Sequence, residues 1–245
     1  MPTRSPAEGS AHAAAAPDLP VLDARIADCF ACPRLVAWRE KVALERRASF
    51  REQSYWGRPV PGFGPADAAI GILGLAPAAH GGNRTGRVFT GDRSGDVLFA
   101  ALHRAGLANQ PTSVSADDGL ELSHTRIFAA VRCAPPDNKP LPVERDTCAP
   151  WLHRELDLIR PKLRVVLALG AFAWAAWWPA MTAVYGHRPP VPRPRFGHGA
   201  QFSVPGTPDL LGCYHVSQQN TFTGRLTPGM LDEILGRAKQ SAGLA

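Results

Sequence analysis

The sequence predicts an α/β fold in which a central, mostly parallel, four-stranded sheet is covered by helices on both faces. Short apolar segments alternate with longer segments of helical periodicity along the chain, and this alternation is typical of parallel sheets with helical crossovers. The apolar segments are also uninterrupted by polar residues, which indicates strands that are buried on both faces.

Four segments are predicted to form the strands of this sheet. In chain order they are Ile70–Gly74, Ile127–Val131, Val165–Leu169 and Leu210–His215. Their lengths are those of ordinary strands in globular proteins. Ligands of such folds bind at the carboxyl ends of the strands, so we expect the functional residues in the loops that follow them.

Three segments have the periodicity of helices and are expected to cover the sheet. They are Ser94–Leu107, Trp151–Ile159 and Pro228–Lys239, and in the first of them apolar residues recur every three to four positions. Residues 110–123 are polar and are expected to form a surface loop. Residues 186–199 (GHRPPVPRPRFGHG) should be extended because of their prolines, either as a solvated linker or as a basic strap beside a polyanion.

Length and composition fit one globular domain, which we expect over residues 21–245. Residues 1–20 are rich in Ala, Pro and Ser and are predicted to be a disordered arm. The net charge of +6 permits a polyanionic partner without requiring one. No apolar run approaches the roughly 20 residues of a membrane span, and the first residues do not resemble a secretory signal, so we expect a cytoplasmic protein that does not interact with membranes.

Four of the five cysteines form a candidate metal-binding set. Cys29 and Cys32 are a CxxC pair, and Cys133 and Cys148 follow much later in the chain. Four thiolates suit either a structural zinc ion or an iron–sulfur cluster, and their spacing leaves both open, together with buried cysteines that bind no metal. Cys213 lies inside an apolar run and is expected to be a core residue.

The loop after the first predicted strand is rich in glycine and contains one aromatic residue. It covers residues 74–92 (GLAPAAHGGNRTGRVFTGD). It matches neither GxGxxG nor GxxxxGK[ST], so a nucleotide cofactor is not supported. Phe89 is expected either to fix the loop to the core or to stack on a flat ligand.

The loop after the last predicted strand, residues 215–228 (HVSQQNTFTGRLTP), begins with His215. Gln218, Asn220 and Thr221 supply amides and a hydroxyl, which can bind phosphates and position a duplex. Between the two loops, Asn138 in the segment CAPPDNKP is either a turn residue or an amide able to pair with the edge of a base.

Together these segments resemble the uracil-DNA glycosylase superfamily, and most closely its type b branch, family five. The resemblance begins near Asp28 and includes CxACPRLVAWRE with Phe30 at the variable position, YWGRPVPGFG at residues 55–64, and the three segments quoted above. It implies a three-layer α/β/α sandwich. It also implies a four-iron, four-sulfur cluster held by the quartet Cys29, Cys32, Cys133 and Cys148, with a structural role.

The resemblance assigns roles to individual positions. Phe89 would stack on the flipped uracil, Asn138 would bind the edge of the base, and His215 would stabilise charge that develops on the base as it leaves. Arg225 and Leu226 would lie in the segment that enters the duplex.

One position departs from the best-known members of the superfamily. Their third residue of the first motif is Asp or Asn, which handles the attacking water, whereas this chain has Ala76. Either another group handles the water or the bond breaks with little such help, and the candidates for a replacement in the same loop are Asn83 and Asp92. We expect Asn83, because it is nearer Ala76 in sequence, while Asp92 could simply cap the next helix.

The resemblance therefore implies a monomeric, monofunctional DNA-repair enzyme. It would flip uracil, and also hypoxanthine or other deaminated and etheno bases, out of double-stranded DNA and hydrolyse the N-glycosidic bond. A metal-stabilised DNA-damage-binding protein without catalysis is the alternative, because Ala76 removes the usual polar residue. A zinc deaminase or protease is disfavoured, because the sequence lacks both H-x-E…P-C-x-x-C and HExxH.

Overall fold

The computed structural model describes residues 2–244. Over these residues the helices are α1 (Pro6–Ala14), α2 (Leu19–Ala27), α3 (Pro33–Glu45), α4 (Gly82–Thr85), α5 (Arg93–Arg104), α6 (Pro142–Ile159), α7 (Ala171–Tyr185), α8 (Gln218–Phe222) and α9 (Pro228–Ala242). The strands are β1 (Ile70–Gly74), β2 (Thr125–Ala129), β3 (Val165–Leu169), β4 (Gln201–Phe202) and β5 (Asp209–Cys213).

The strands form one sheet in the order β2–β1–β3–β5–β4. The four predicted strands are parallel to one another, and β4 joins the edge antiparallel to β5. The predicted fold class is confirmed, whereas the predicted number of four strands is one too low. A two-residue strand is too short to show any periodicity, so β4 left no signal in the sequence.

Helices cover both faces of the sheet, and each face has its own apolar core. On one face Ile72 shares a core with Leu98 of α5 and Leu235 of α9. On the other face Leu73 belongs to a second core with Trp177 of α7 and residues of α1, α2 and α6. Adjacent strand residues point to opposite faces, which is why continuous apolar runs are needed here.

One strand and one helix begin earlier than the apolar pattern predicted. β2 starts at Thr125 rather than Ile127 because Arg126 is buried inside a network of ion pairs. Its guanidinium contacts Glu155 at 2.6 Å and Asp23 at 3.0 Å. α6 starts at Pro142 rather than Trp151, and the backbone N–H of Leu141 is capped by the carboxylate of Glu144.

The predicted disordered arm over residues 1–20 is wrong for the described part of that segment. Helix α1 begins with a capping box between Ser5 and Glu8 and packs against α6. Ala13 and Ala16 are buried, and Arg154 of α6 donates to the carbonyl oxygen of Ala16. The alanines that suggested disorder are good helix formers, and their small side chains allow close packing. The single domain therefore includes this segment.

The two segments without periodicity are extended or irregular, but both are attached to the core. In residues 110–123 Ser113, Leu120 and Leu122 are buried, so this insertion is more than a surface loop. Residues 186–199 are attached through Pro194, whose carbonyl oxygen accepts a hydrogen bond from the indole N–H of Trp174 at 2.9 Å.

Among residues 2–244, no helix has the length and hydropathy required to cross a bilayer.

Candidate active site

A cavity of about 610 Å³ opens at the carboxyl edge of the parallel strands, the position expected for a ligand site in this fold class. Its volume lies within the ordinary range for sites that bind small ligands. Six of the predicted site residues line it, namely Ala76, Phe89, Asp92, Asn138, His215 and Gln218. The sheet therefore brings the ends of β1 and β5 and the loop after β2 to one place.

Phe89 is held in a backbone conformation that a bulky residue rarely adopts. Its φ is 52°, and its ring lies against Gly74, where an added Cβ would come within 3.1 Å of the ring. A Cβ at Gly95 would lie 1.8 Å from the carbonyl oxygen of Phe89. Positive φ costs roughly 1–3 kcal/mol at such a residue, so the surrounding contacts must fix the ring in the cavity wall.

A polar cluster on both sides of Phe89 supplies part of that support. The guanidinium of Arg87 contacts the carboxylate of Asp118 at 2.8 Å and the hydroxyls of Ser113 and Thr90 at 2.9 Å. The backbone of residue 91 donates to the carbonyl oxygen of Ser113 at 2.8 Å. Residues 110–123 thus clamp the loop that carries Phe89, a role that the polar sequence of this insertion did not reveal.

His215 lies two residues after the end of β5, and its ring centroid is 6.2 Å from the ring centroid of Phe89. Burial lowers the pKa of His215, so the imidazole is neutral at pH 7. The backbone is crowded here, since a Cβ at Gly170 would lie 3.3 Å from the Cβ of His215. A neutral imidazole on a cavity wall can donate one hydrogen bond to a ligand oxygen.

Asn138 lies across the cavity on a tight turn. Both Asp137 and Asn138 have positive φ, 53° and 55°, and they follow two prolines. Asn and Asp tolerate this backbone region better than most residues. The turn therefore explains the local sequence and also presents the exposed amide of Asn138 on the cavity wall.

The structure separates the two candidates for handling water. Asn83 is fully buried and does not line the cavity. Its amide donates to the carbonyl oxygens of Arg39 at 3.2 Å and Ala79 at 3.5 Å. The expectation that Asn83 replaces the residue missing at Ala76 is therefore wrong, because a side chain committed to the loop interior cannot position water in the cavity.

Asp92 lines the cavity and also caps α5. One of its carboxylate oxygens accepts from the backbone N–H of Gly95 at 2.9 Å. The other lies over Gly81, where a Cβ would approach it to 1.9 Å. Burial raises the pKa of Asp92. Asp92 thus both caps α5 and forms part of the cavity wall.

Within the loop after β5, the predicted DNA-contacting residues have different environments. The amide of Asn220 donates to the carbonyl oxygen of His215 at 2.8 Å, and the hydroxyl of Thr221 donates to that of Ser217 at 3.2 Å. Arg225 is exposed, and its guanidinium lies 4.6 Å from the ring centroid of Tyr214. These two side chains organise the loop, while Arg225 remains available to a partner.

Leu226 does not fit its predicted role. Its side chain is 2% exposed and belongs to the core beneath α9. Its backbone N–H donates to the carbonyl oxygen of Asn220 at 3.0 Å. A leucine so placed anchors the loop and cannot enter a duplex, so the prediction for Leu226 is wrong.

Several residues of the cavity wall were not predicted from the sequence. Besides the six predicted residues, the polar or charged lining includes Arg93, Ser94, Asp137, Ser217 and Gln219. All five lie within two positions of predicted residues, so extending each motif by one or two positions would have found them.

The predicted cysteine quartet also comes together. Cys29, Cys32, Cys133 and Cys148 line a second, much smaller cavity, between the chain near residue 30, the end of β2 and α6. Burial raises the pKa of Cys32 to about 12 and that of Cys133 to about 11. As predicted, Cys213 is buried in the sheet core, apart from this group.

Two N–H groups donate to these sulfurs, and one of them belongs to a buried, charged guanidinium. The guanidinium of Arg39 donates to Cys133 Sγ at 3.1 Å, and the backbone N–H of Arg132 donates to Cys148 Sγ at 3.4 Å. Arg39 is fully buried, and two of its nitrogens have no hydrogen-bond partner. Its closest carboxylate oxygen, on the half-exposed Glu40, is 3.9 Å away. A buried cation with so little compensation suits an anionic group in the cavity.

The arrangement of donors bears on which metal group would fit. Among the described residues, no three His, Cys, Asp or Glu side chains converge as ligands of a single metal ion. A cluster of several irons holds its thiolates farther apart than one zinc ion does. Four thiols around one cavity and a buried guanidinium beside them are the donors and the counter-charge that an anionic metal–thiolate group would need.

Comparison with known proteins gives a consistent assignment. The family model described as the uracil DNA glycosylase superfamily matches residues 61–239. The chain is 57% identical over 223 residues to the type-5 uracil-DNA glycosylase of Mycobacterium tuberculosis, covering 91% of this chain and 81% of that protein.

Two further relatives are also named type-5 uracil-DNA glycosylases. The protein of Thermus thermophilus is 53% identical over 216 residues, which cover 88% of this chain and 94% of the relative. The protein of Pyrobaculum aerophilum is 46% identical over 219 residues, covering 89% and 91% respectively.

Proposed function

This chain belongs to the uracil DNA glycosylase superfamily, and on that premise we propose that it removes uracil from DNA by hydrolysing the N-glycosidic bond, as a DNA-repair enzyme. The observation that carries the proposal is the single cavity at the strand ends, which unites an aromatic ring, an amide, a neutral imidazole and a carboxylate. These are the groups needed to hold a flat polar base, stabilise its departure and handle water.

Binding of the base would follow from the geometry of the cavity wall. A nucleotide inside a stacked duplex must first rotate out, which costs a few kcal/mol. Phe89 then offers its ring to one face of the base, while the amide of Asn138 can donate to and accept from the base edge. The positive-φ turns that carry both residues fix the two groups before substrate arrives.

His215 would stabilise the leaving group. Departure of uracil leaves negative charge on the base and positive charge on the sugar. A neutral His215 loses no proton when it donates a hydrogen bond to a base oxygen, and that bond strengthens as charge develops. Its lowered pKa keeps the imidazole in this neutral form.

Asp92 would accept the proton of the attacking water or stabilise the cationic sugar. It supplies the carboxylate that Ala76 lacks, from a different point on the same loop. Among the described residues that line the cavity there is no lysine able to form a Schiff base. We therefore expect a monofunctional enzyme that leaves an abasic site in an intact strand.

Cys29, Cys32, Cys133 and Cys148 would hold a four-iron, four-sulfur cluster. When bound, that group supplies cross-links between chain segments and no chemistry at the glycosidic bond. Cys133 lies five residues before Asn138, so the ligand set would fix the start of the turn that presents this amide. Arg39 would balance the negative charge of the group.

The substrate is proposed to be double-stranded DNA, bound by the enzyme as a monomer. Exposed arginines of residues 186–199, together with Arg225 of the loop that begins at His215, supply positive charge for an anionic partner. Ala76 leaves room where the best-known members of the superfamily carry Asp or Asn, which favours acceptance of hypoxanthine and other deaminated or etheno bases besides uracil.

An excision assay tests this function directly. Duplexes with one uracil, one hypoxanthine or no lesion would be incubated with excess enzyme, and the free base and alkali-labile sites measured. We expect uracil release and strand cleavage only after alkali. His215→Ala should lose this activity, and His103→Ala, an exposed histidine at the far end of α5, is the matched control. Tight binding of uracil-containing duplex without base release would favour the non-catalytic alternative.

A further inference from the structure

Residues 186–199, here called the basic segment, carry three arginines and no carboxylate. Arg188, Arg193 and Arg195 are all exposed. Among residues 2–244, none of these three guanidinium groups forms an ion pair, whereas the exposed Arg58 and Arg104 pair with aspartates at 2.9 Å and 2.7 Å. The basic segment therefore presents uncompensated positive charge to solvent.

The path of the basic segment leads back to the edge of the sheet where the cavity opens. Near its start, the hydroxyl of Thr182 in the last turn of α7 donates to the carbonyl oxygen of His187 at 3.1 Å. Further along, the indole N–H of Trp174 in the first turn of α7 donates to the carbonyl oxygen of Pro194 at 2.9 Å. These two anchors are about 12 Å apart along the helix axis. Because α7 begins directly after β3, residues 193–195 lie at the carboxyl edge of the parallel strands.

The residues that follow Pro194 attach this end of the basic segment to the wall of the cavity. The ring centroid of Phe196 is 6.1 Å from that of Trp174 and 6.2 Å from that of Tyr214. The backbone N–H of Tyr214 donates to Nδ1 of His198 at 3.3 Å. Tyr214 directly precedes His215, which lines the cavity. The two arginines just before Phe196 are therefore carried by backbone that is fixed next to the cavity.

A further arginine reaches Tyr214 from the other side of the sequence. The guanidinium of Arg225 lies 4.6 Å from the ring centroid of Tyr214. The loop over residues 215–228, which contains Arg225, also has no Asp or Glu. Two segments that bear arginine and no carboxylate thus meet at Tyr214, beside the cavity.

The form of this surface favours a polyanion over a small anionic ligand. Arg193 and Arg195 lie on an extended, exposed chain, whereas small ligands are usually enclosed by a concave site. The intervening prolines restrict the backbone, so little conformational entropy is lost when the arginines bind. Guanidinium groups form paired hydrogen bonds with phosphate oxygens. Successive phosphates of one DNA strand supply such partners in a row.

We propose that Arg193 and Arg195 bind phosphates of the DNA backbone and thereby align the duplex across the cavity. This inference rests on the proposed function and deepens it by assigning the part of the basic segment that contacts the substrate. Phosphate contacts position a duplex without reading its sequence. They would therefore raise the affinity for damaged and undamaged DNA alike and leave the bond-breaking step unchanged.

The first test measures the binding of undamaged duplex at several salt concentrations. Each phosphate contact adds about 0.9 to the slope of log affinity against log salt. The double variant Arg193→Gln/Arg195→Gln should therefore lose about 1.8 of that slope, and about 60-fold in affinity at 0.1 M salt. Arg193→Lys/Arg195→Lys keeps both charges and should retain the slope. Thermal unfolding of each variant checks that the fold is intact.

A matched control removes the same charge from the opposite edge of the sheet. Lys162 and Arg164 are exposed and lie just before β3, so Lys162→Gln/Arg164→Gln should leave the salt slope unchanged. An equal decrease in this control would mean that only net charge matters, and that result would overturn the proposed site. An unchanged slope in Arg193→Gln/Arg195→Gln would overturn it as well.

Single-turnover excision of uracil separates binding from chemistry. In Arg193→Gln/Arg195→Gln the enzyme concentration that gives half the maximal rate should rise by about the same 60-fold. The maximal rate should stay within about threefold of the unaltered enzyme. A fall in the maximal rate without a change in the half-saturating concentration would place these arginines in the chemistry and refute the phosphate contacts.

Two further outcomes separate this inference from its alternatives. Vesicles that contain phosphatidylglycerol test for a membrane partner. Binding to them that requires Arg193 and Arg195, with DNA affinity unaffected, would overturn the proposal. If the unaltered protein releases no uracil but its salt slope still depends on the two arginines, the proposed function fails and the phosphate site stands. If uracil is released and the slope does not depend on them, the site fails and the function stands.

Discussion

Replacing Asp92 with Asn is the sharpest test of the chemistry in the cavity. Asn caps a helix as well as Asp does, so the bond from the Gly95 N–H is kept while the ionisable group is removed. A general base contributes typically 10²- to 10⁴-fold, or about 2.7–5.5 kcal/mol in activation free energy. We expect single-turnover excision of uracil to fall within that range, with little change in DNA affinity.

The pH dependence follows from the burial of this carboxylate. Burial raises the pKa of Asp92 above its usual 3.8, and the base must be ionised to act, so the excision rate should fall as pH drops through that raised pKa. Asp92→Asn should remove this acid limb. A raised folded-state pKa also means that ionised Asp92 lowers stability as pH rises through the interval above 3.8, so the variant should be no less stable at pH 7.

The choice of substitution matters because Asp92 has two roles. Asp92→Ala would also lose the cap, at about 1 kcal/mol, and would mix a folding defect with a catalytic one. Asp137→Asn is the informative companion, since Asp137 is the other carboxylate on the cavity wall and Asn tolerates its positive φ. Asp92 is not the general base if Asp137→Asn lowers the excision rate more than Asp92→Asn does, or if the acid limb persists in Asp92→Asn.

Three further predictions concern the imidazole, the cysteines and the loop anchor. His215→Ala should reduce the excision rate on the order of 10²–10³-fold, as loss of a donor to developing charge does, with a much smaller loss in a DNA-binding titration. Protein purified without oxygen should contain about four irons per chain; Cys29→Ser should lower that content and Cys213→Ser should not, whereas one zinc per chain would contradict the cluster. Leu226→Ala should lower the free energy of unfolding by about 2–5 kcal/mol, measured by denaturant titration; an unaltered midpoint would show that Leu226 is not an anchor.

The sequence was informative about the site where the chemistry is carried by consecutive residues. The loops beginning at Gly74 and His215 and the segment around Asn138 all reach the cavity, as their positions after predicted strands required. Parallel strands bring their carboxyl ends to one edge, so the order of elements along the chain was enough to place these loops together.

The choice between Asn83 and Asp92 shows where local reasoning failed. Nearness to Ala76 in sequence favoured Asn83, yet α4 turns that side chain into the loop interior. Asp92, farther along, returns to the cavity because it caps α5, whose first turn lies on the cavity wall. The direction of a side chain depends on how the backbone turns between two positions. The number of residues between those positions does not determine that direction.

The sequence by itself determined the fold class and the segments that form the site, because apolar periodicity and strand order are local properties of the chain. Only the tertiary structure decided which side chains are buried. It buried Leu226 and exposed Phe222 four residues away, and it enclosed Arg126 among carboxylates inside a strand. It also packed an alanine-rich segment, α1, against α6. Burial is set by elements distant in sequence, so each of these outcomes required the packed molecule.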